Sequence, residues 1–170
     1  LRYLSVPNSN LNALDPRMTL RFRRPQWGLR AGTGRYSQSP SVDELSQKDL
    51  LLTESFHGAF GIDLTILERI EMSFDLWGRD TTNSIIQVPG KDLTQLDTRA
   101  FGGEWGFKYR LKERFFAWLS LSSANSRMDQ KTWAYDQPYA MDVVFSWRFH
   151  PKWDFGMRYR YAAGLPYIPP

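Results

Sequence analysis

The sequence contains no cysteine. A disulfide framework and a thiolate metal or redox site are therefore excluded. There are only two histidines, His57 and His150, and neither has a second histidine or a carboxylate at metal-ligand spacing. No stretch approaches the roughly 18 consecutive apolar residues of a membrane-crossing helix, so a helical span is excluded. No glycine-rich loop follows a strand and opens a helix, which leaves nucleotide binding without support. No secretory leader precedes the opening "LRYLSVPNSN". The expectation is that a leader has been removed or that this is not the start of the gene product. Charge of one sign is not in large excess either. The formal balance is +4, which a solvated surface explains as well as an anionic partner does. The short basic run "RFRR" (21–24) has no aromatic–basic platform around it. Nucleic acid is not an expected partner, and lipid phosphates at a membrane rim suit the run better.

What is abundant is aromatic side chains, seven Trp, eight Tyr and eleven Phe in 170 residues, and they are placed with period two. In "WDFGMRYRYA", Trp153, Phe155, Met157, Tyr159 and Tyr161 share one parity, and Asp154, Gly156, Arg158, Arg160 and Ala162 the other. Side chains of a strand alternate between two faces, whereas on a helix the same residues would scatter around the axis. The pattern recurs along the chain. Met18, Leu20 and Phe22 alternate with Arg17, Arg21 and Arg23, and Trp27 and Leu29 with Gly28 and Arg30. Phe56, Phe60, Ile62 and Leu64 oppose His57, Gly61 and Asp63, while Ile70, Met72 and Phe74 oppose Glu71, Ser73 and Asp75. Phe101, Trp105, Phe107 and Tyr109 oppose Glu104, Lys108 and Arg110, and Met141, Val143, Phe145 and Trp147 oppose Asp142, Ser146 and Arg148. Only "RFFAWLSLSS" is blurred, because Phe116 and Trp118 share a parity with Ser120 and Ser122. The expectation is an all-β chain, an antiparallel meander of about eight strands, with Leu1 to Leu4 the stub of another.

The connections alternate as well. Tight turns are expected near Pro25, Glu68, Glu113 and Pro151, and long polar loops over 37–53, 81–96 and 125–138. Short turns thus gather at one rim and long loops at the other, the asymmetry of a transmembrane β-barrel. A soluble sandwich alternates too, with its aromatics buried against a second layer. Lipid is favoured by strand length, since about 9 to 11 tilted residues cross the hydrocarbon core. It is favoured also by aromatics beside the turns, as at Trp147, Phe149 and Trp153, and by glycines on the polar face. The candidate lipid-facing residues are Phe22, Trp27, Phe60, Phe74, Trp105, Phe107, Phe145, Trp147, Trp153, Phe155 and Tyr159. The candidate lumen-facing residues are Arg21, Arg23, Arg30, His57, Asp63, Glu71, Asp75, Glu104, Lys108, Arg158 and Arg160. These line either a charged path, a plug-docking wall or simply a wet interior. A triad of His57, Asp63 and Ser73 is a minor enzymatic alternative, a solvated lumen histidine being the simpler reading. No catalytic, cofactor or metal site is expected.

Three segments carry a resemblance: "GRYSQSPSVDEL" (34–45), "RAFGGEWGFKYRLKERFFAWLSLSSANSRMD" (99–129) and "YDQPYAMDVVFSWRFHPKWDFGMRYRYAAGLPYIPP" (135–170). In order along nearly the whole chain, they resemble strands, hairpins and outer loops of the barrels of TonB-dependent outer membrane receptors. That resemblance implies a Gram-negative outer membrane location and a barrel of about 22 strands filled by a plug domain. It implies a short box gripped by TonB and its inner membrane energising complex, and contact with the bilayer and lipopolysaccharide. It further implies energised uptake of a scarce or bulky substrate, recognised by the long loops. Neither plug nor box is seen in these residues, so the expectation is a single barrel segment over 1–170, a piece of the larger barrel. Closure of eight strands into a small barrel is the other possibility. A plugless barrel serving as a structural or docking component of a larger envelope assembly is the alternative function, and a soluble binding module a third.

Overall fold

The computed structural model describes residues 1–5, 12–40, 51–86, 94–128, 131–132 and 138–164. The described secondary structure is entirely strand: β1 (Arg2–Ser5), β2 (Asn12–Asp15), β3 (Arg17–Arg23), β4 (Trp27–Gln38), β5 (Thr53–Ile66), β6 (Ile70–Ile86), β7 (Thr94–Leu111), β8 (Phe115–Met128), β9 (Lys131–Thr132), β10 (Tyr139–His150) and β11 (Trp153–Ala162). The main sheet runs β11-β10-β8-β7-β6-β5-β4-β3, with the short β9 added beside β8. Every pairing in it is antiparallel. Strands β3 and β11 are its edges and do not pair with each other, so the described residues form an open curtain rather than a closed small barrel. The expected N-terminal stub is β1, which pairs with β2 in a separate two-stranded sheet.

Register turns the alternation of single strands into rows that cross the sheet. Phe22, Leu29, Ile62, Phe74, Trp105, Leu121, Met141 and Tyr161 stand side by side across all eight strands of the meander. The row one residue away reads Arg21, Arg30, Gly61, Asp75, Glu104, Ser122, Ala140 and Ala162. A slip of one residue in any strand would break both rows at once, so the two-sided pattern pins the register.

Among the described residues, neither face of the main sheet is covered by a second layer. Among the described residues the buried apolar ones are two alanines, Ala13 and Ala100, and a single leucine, Leu52, whereas Phe74, Trp147, Phe155, Met157 and Tyr159 are exposed. The surface is 13049 Å² for a 19.9 kDa chain, against about 8,700 Å² for a compact soluble protein of that mass. A sandwich would have hidden these rings. The apolar band on β5 runs from Phe56 to Ile66. Its ten steps cover about 33 Å along the strand, which at the usual barrel tilt projects to roughly 25 Å, the height of an outer-membrane hydrophobic band. Beyond it the same face turns charged, with the ion pairs Arg35–Glu54 and Arg99–Asp80. At the other end rings crowd toward the turns: Phe22 lies 5.3 Å from Trp27, and Trp147 5.7 Å from Phe149.

The tight turns fall where the sequence placed them, at 24–26, 67–69, 112–114 and 151–152. In the second, Leu67 and Glu68 take left-handed backbone (φ 51° and 56°), and the Arg69 N–H donates to the Ile66 carbonyl at 3.3 Å. That handedness matches the twist of the flanking strands. The long connections are shorter than expected. β6 continues to Ile86 and β7 starts at Thr94, so most of 81–96 is strand, and β8 runs through 125–128 of the third loop. Past the apolar band both faces of a strand carry polar side chains, and the alternation that reveals a strand disappears there. The remaining loop residues, 41–50, 87–93, 129–130 and 133–137, together with the terminal "LPYIPP", lie outside the described residues.

Candidate functional site

Register places every residue expected in the lumen on the polar face of the sheet, and every residue expected against lipid on the apolar face. The two basic residues Arg21 and Arg23 of "RFRR" therefore share the polar face, and only Arg24, stacked 5.2 Å over the Phe22 ring, stays at the turn rim on the apolar side.

Toward the turn end, the polar face is organised around Arg30. Its Nη1 donates to both oxygens of Asp63 (2.8 and 2.7 Å), and its Nε and Nη2 reach Asp75 (3.0, 2.8 and 2.6 Å). One guanidinium thus clamps β4, β5 and β6 with forked charge-assisted bonds, a geometry lysine cannot copy. Gly61 makes this possible, lying between Arg30 and Asp75 in the row. A methyl group there would collide with Asp75 Oδ1 and sit 2.6 Å from Arg30 Nε. Glu104 is opposite Asp75, and Lys108 pairs with Glu71 at 3.7 Å. A cavity of about 450 Å³ opens over this region, lined among others by Arg23, Arg30, Asp63, Glu71, Lys108 and Trp118. At the β11 edge of the same face Arg158 and Arg160 both approach Asp142, at 3.3 and 3.9 Å.

Toward the loop end, the polar face changes character. A cavity of about 610 Å³ is lined by Arg2, Tyr36, Thr53, Ser55, His57, Arg79, Thr81, Thr98 and neighbouring serines. His57 Nε2 shares a hydrogen bond with Ser55 Oγ (2.7 Å), which shares another with Thr81 Oγ1 (2.8 Å). The His57 ring lies 4.3 Å from Tyr36, whose other contact is the Arg17 guanidinium at 4.0 Å. Asn83, at φ 55°, sits in an irregularity between Thr81 and Ser84, which re-aims β6 so that Ser84 also reaches the cavity.

Arg2 arrives through the N-terminal strand pair. That pair is fastened by Asp15, fully buried, which accepts bonds from the Ser37 amide (3.1 Å) and hydroxyl (2.7 Å). Burial pushes the Asp15 carboxyl up, but the Ser37 bonds and the charges of Arg2 and Arg17 outweigh it and hold the group below its ordinary value.

The imagined triad does not assemble. Asp63 is held by Arg30, and His57 lies six residues along β5 from it, roughly 20 Å at strand rise. The partner of His57 is Ser55 rather than Ser73. Among the described residues no three metal-donor side chains cluster. Sequence reading overlooked Arg2, Tyr36, Ser55, Arg79 and Thr81. Carrying the β6 alternation past Leu76 would have found Arg79 and Thr81, which share the parity of Asp75.

Solved structures of the same fold are known. The FrpB iron transporter from Neisseria meningitidis (F3-3 variant) superposes with a TM-score of 0.71 at 14% identity, over 88% of this chain and 26% of that one. The copper transporter OprC gives 0.70 at 17% identity, over 92% of this chain and 28% of that one. P. aeruginosa FpvA bound to heterologous pyoverdines gives 0.66 at 12% identity, over 87% and 25%. The fold is therefore a sector of barrel wall similar to those of TonB-dependent receptors. The chain spans about a quarter of the length of the structures it matches. No family model matches it, and no curated protein is similar to it in sequence.

Proposed function

We propose that this chain is part of the wall of a TonB-dependent transporter in a Gram-negative outer membrane, apolar face to lipid and polar face to a plug-gated lumen. The observation that carries it is the pair of rows crossing the whole sheet, one apolar with no protein to cover it, the next polar and ion-paired. A bilayer is the environment that leaves such rings uncovered without cost. In this reading the clamp of Arg30, Asp63 and Asp75 faces the plug, and Arg35, Glu54, Asp80 and Arg99 meet the headgroup layer and its lipopolysaccharide phosphates. The protein moves a substrate rather than transforming it, by analogy with the iron and copper transporters of the same fold.

The test uses the full-length protein expressed in a Gram-negative host. It is expected to fractionate with the outer membrane, to change gel mobility on heating, and to be retained by the immobilised periplasmic domain of TonB. Membrane insertion without TonB retention would replace transport by the plugless structural barrel. Recovery from the soluble periplasm would overturn both.

A further inference from the structure

The loop-end cavity has a composition unlike the rest of the polar face. Around the turn-end clamp, Arg30 and Lys108 each have a carboxylate partner. Around the loop-end cavity, among the described residues, Arg2 and Arg79 have no ion-pair partner and no carboxylate lines the space. The nearby Asp15 is buried behind the wall on Ser37, drawing on Arg2 and Arg17 only through its field. Arg79 stands directly across from His57 in the register, beside the Ser55–Thr81 hydroxyl pair. Free guanidinium groups beside hydroxyls that donate or accept form a ready receptor for an oxyanion, and because Arg2 and Arg79 are exposed their attraction is open to screening by salt.

We propose that this cavity binds the carboxylate or phosphate group of a small hydroxylated ligand, with Arg79 and Arg2 supplying the charge. Ser55, His57 and Thr81 supply the neutral hydrogen bonds, and Tyr36 holds His57 in place by ring contact. The proposal deepens the transport reading and rests on the polar face being the lumen side. It gives the loop end of the wall a ligand class, and leaves the turn end, already neutralised, to hold protein.

Calorimetric titration of the full-length protein, purified in detergent, tests this with three probes: citrate, inorganic phosphate and neutral glucose. Saturable binding of citrate or phosphate is expected, with whichever binds more tightly naming the group. Arg79→Gln and Arg2→Gln should each weaken it about tenfold, Arg79→Lys much less, and Arg148→Gln, a cation of the same face near the turns, not at all. Raising salt to about 1 M should weaken it further. Absence of anion binding, equal binding by Arg79→Gln, or equally tight glucose binding would overturn the site. Quenching by brominated lipid in vesicles, compared between wild type and Trp105→Phe, separates this from the orientation. Loss of quenchable signal in the variant with no anion binding rejects the site and keeps the wall. An unchanged signal rejects both.

Discussion

The two faces of this sheet are built to different tolerances. On the apolar face, Gly58 and Gly78 have nothing within 4 Å of where a side chain would begin. On the polar face, the same hypothetical atom at Gly61, Gly102 or Gly106, beside the ion pair and the packed side chains, falls 2.7 Å or less from a neighbouring side chain. Gly32 and Gly156 there have nothing closer than 3.8 Å, and Gly103 on the apolar face meets Leu76 at 3.2 Å. In the proposed orientation the apolar rows ask only that a residue be greasy, because acyl chains are fluid and adapt to any shape. The polar rows have fixed partners at fixed distances, because a charge is stabilised by the particular group opposite it. One face is therefore specified by class of residue and the other by identity.

Substitutions that cross the faces should break this contrast most. Phe145→Arg places a charge on the mid-height apolar face and is expected to destabilise folding into lipid vesicles by about 2 to 4 kcal/mol, whereas Ser146→Arg, one residue on, should cost under about 1 kcal/mol. Equal costs in urea titrations of the full-length protein would show the face assignment to be wrong. A smaller effect sharpens the tolerance argument. Gly61→Ala should lose about 1 kcal/mol by pushing Asp75 off Arg30, the partly exposed setting of the pair keeping the figure low, while Gly58→Ala should be neutral within about 0.5 kcal/mol. Matching losses at both positions would mean that backbone strain, not the ion pair, sets the cost.

The smallest effect is local and depends on pH. The Asp15 carboxyl is held below its ordinary value, so its contribution to docking β2 is complete above that value and is lost as pH falls through the depressed one. Acidification from about pH 5 to pH 3 should begin to lower the exchange protection of the Ser37 amide, with the Arg30 region of β4 unaffected. Ser37 protection that instead fell as pH rose would reverse the assigned role of Asp15.

Much of the fold was legible in order. Met141 to Phe149 and Trp153 to Tyr161 alternate so regularly that strand, turn and face could be read together. Legibility ended where the apolar band ended. Thr81 to Ile86 and Thr94 to Thr98 extend β6 and β7 with no polar–apolar contrast between faces to mark them as strand. The candidate site suffered most from this, since Arg79, Thr81 and Ser55 lie at that boundary and Arg2 belongs to a strand pair that local pattern does not announce.

By itself the sequence determined that the chain is sheet, which residues share a face, and where the meander turns, because period two and tight-turn chemistry are properties of neighbours along the chain. Tertiary structure alone decided that Arg30 would bridge Asp63 and Asp75 over Gly61, that Asp15 would close on Ser37, and that Arg2 would meet Arg79 across one cavity. Those are encounters between strands, and they depend on register and strand order, which no local periodicity encodes.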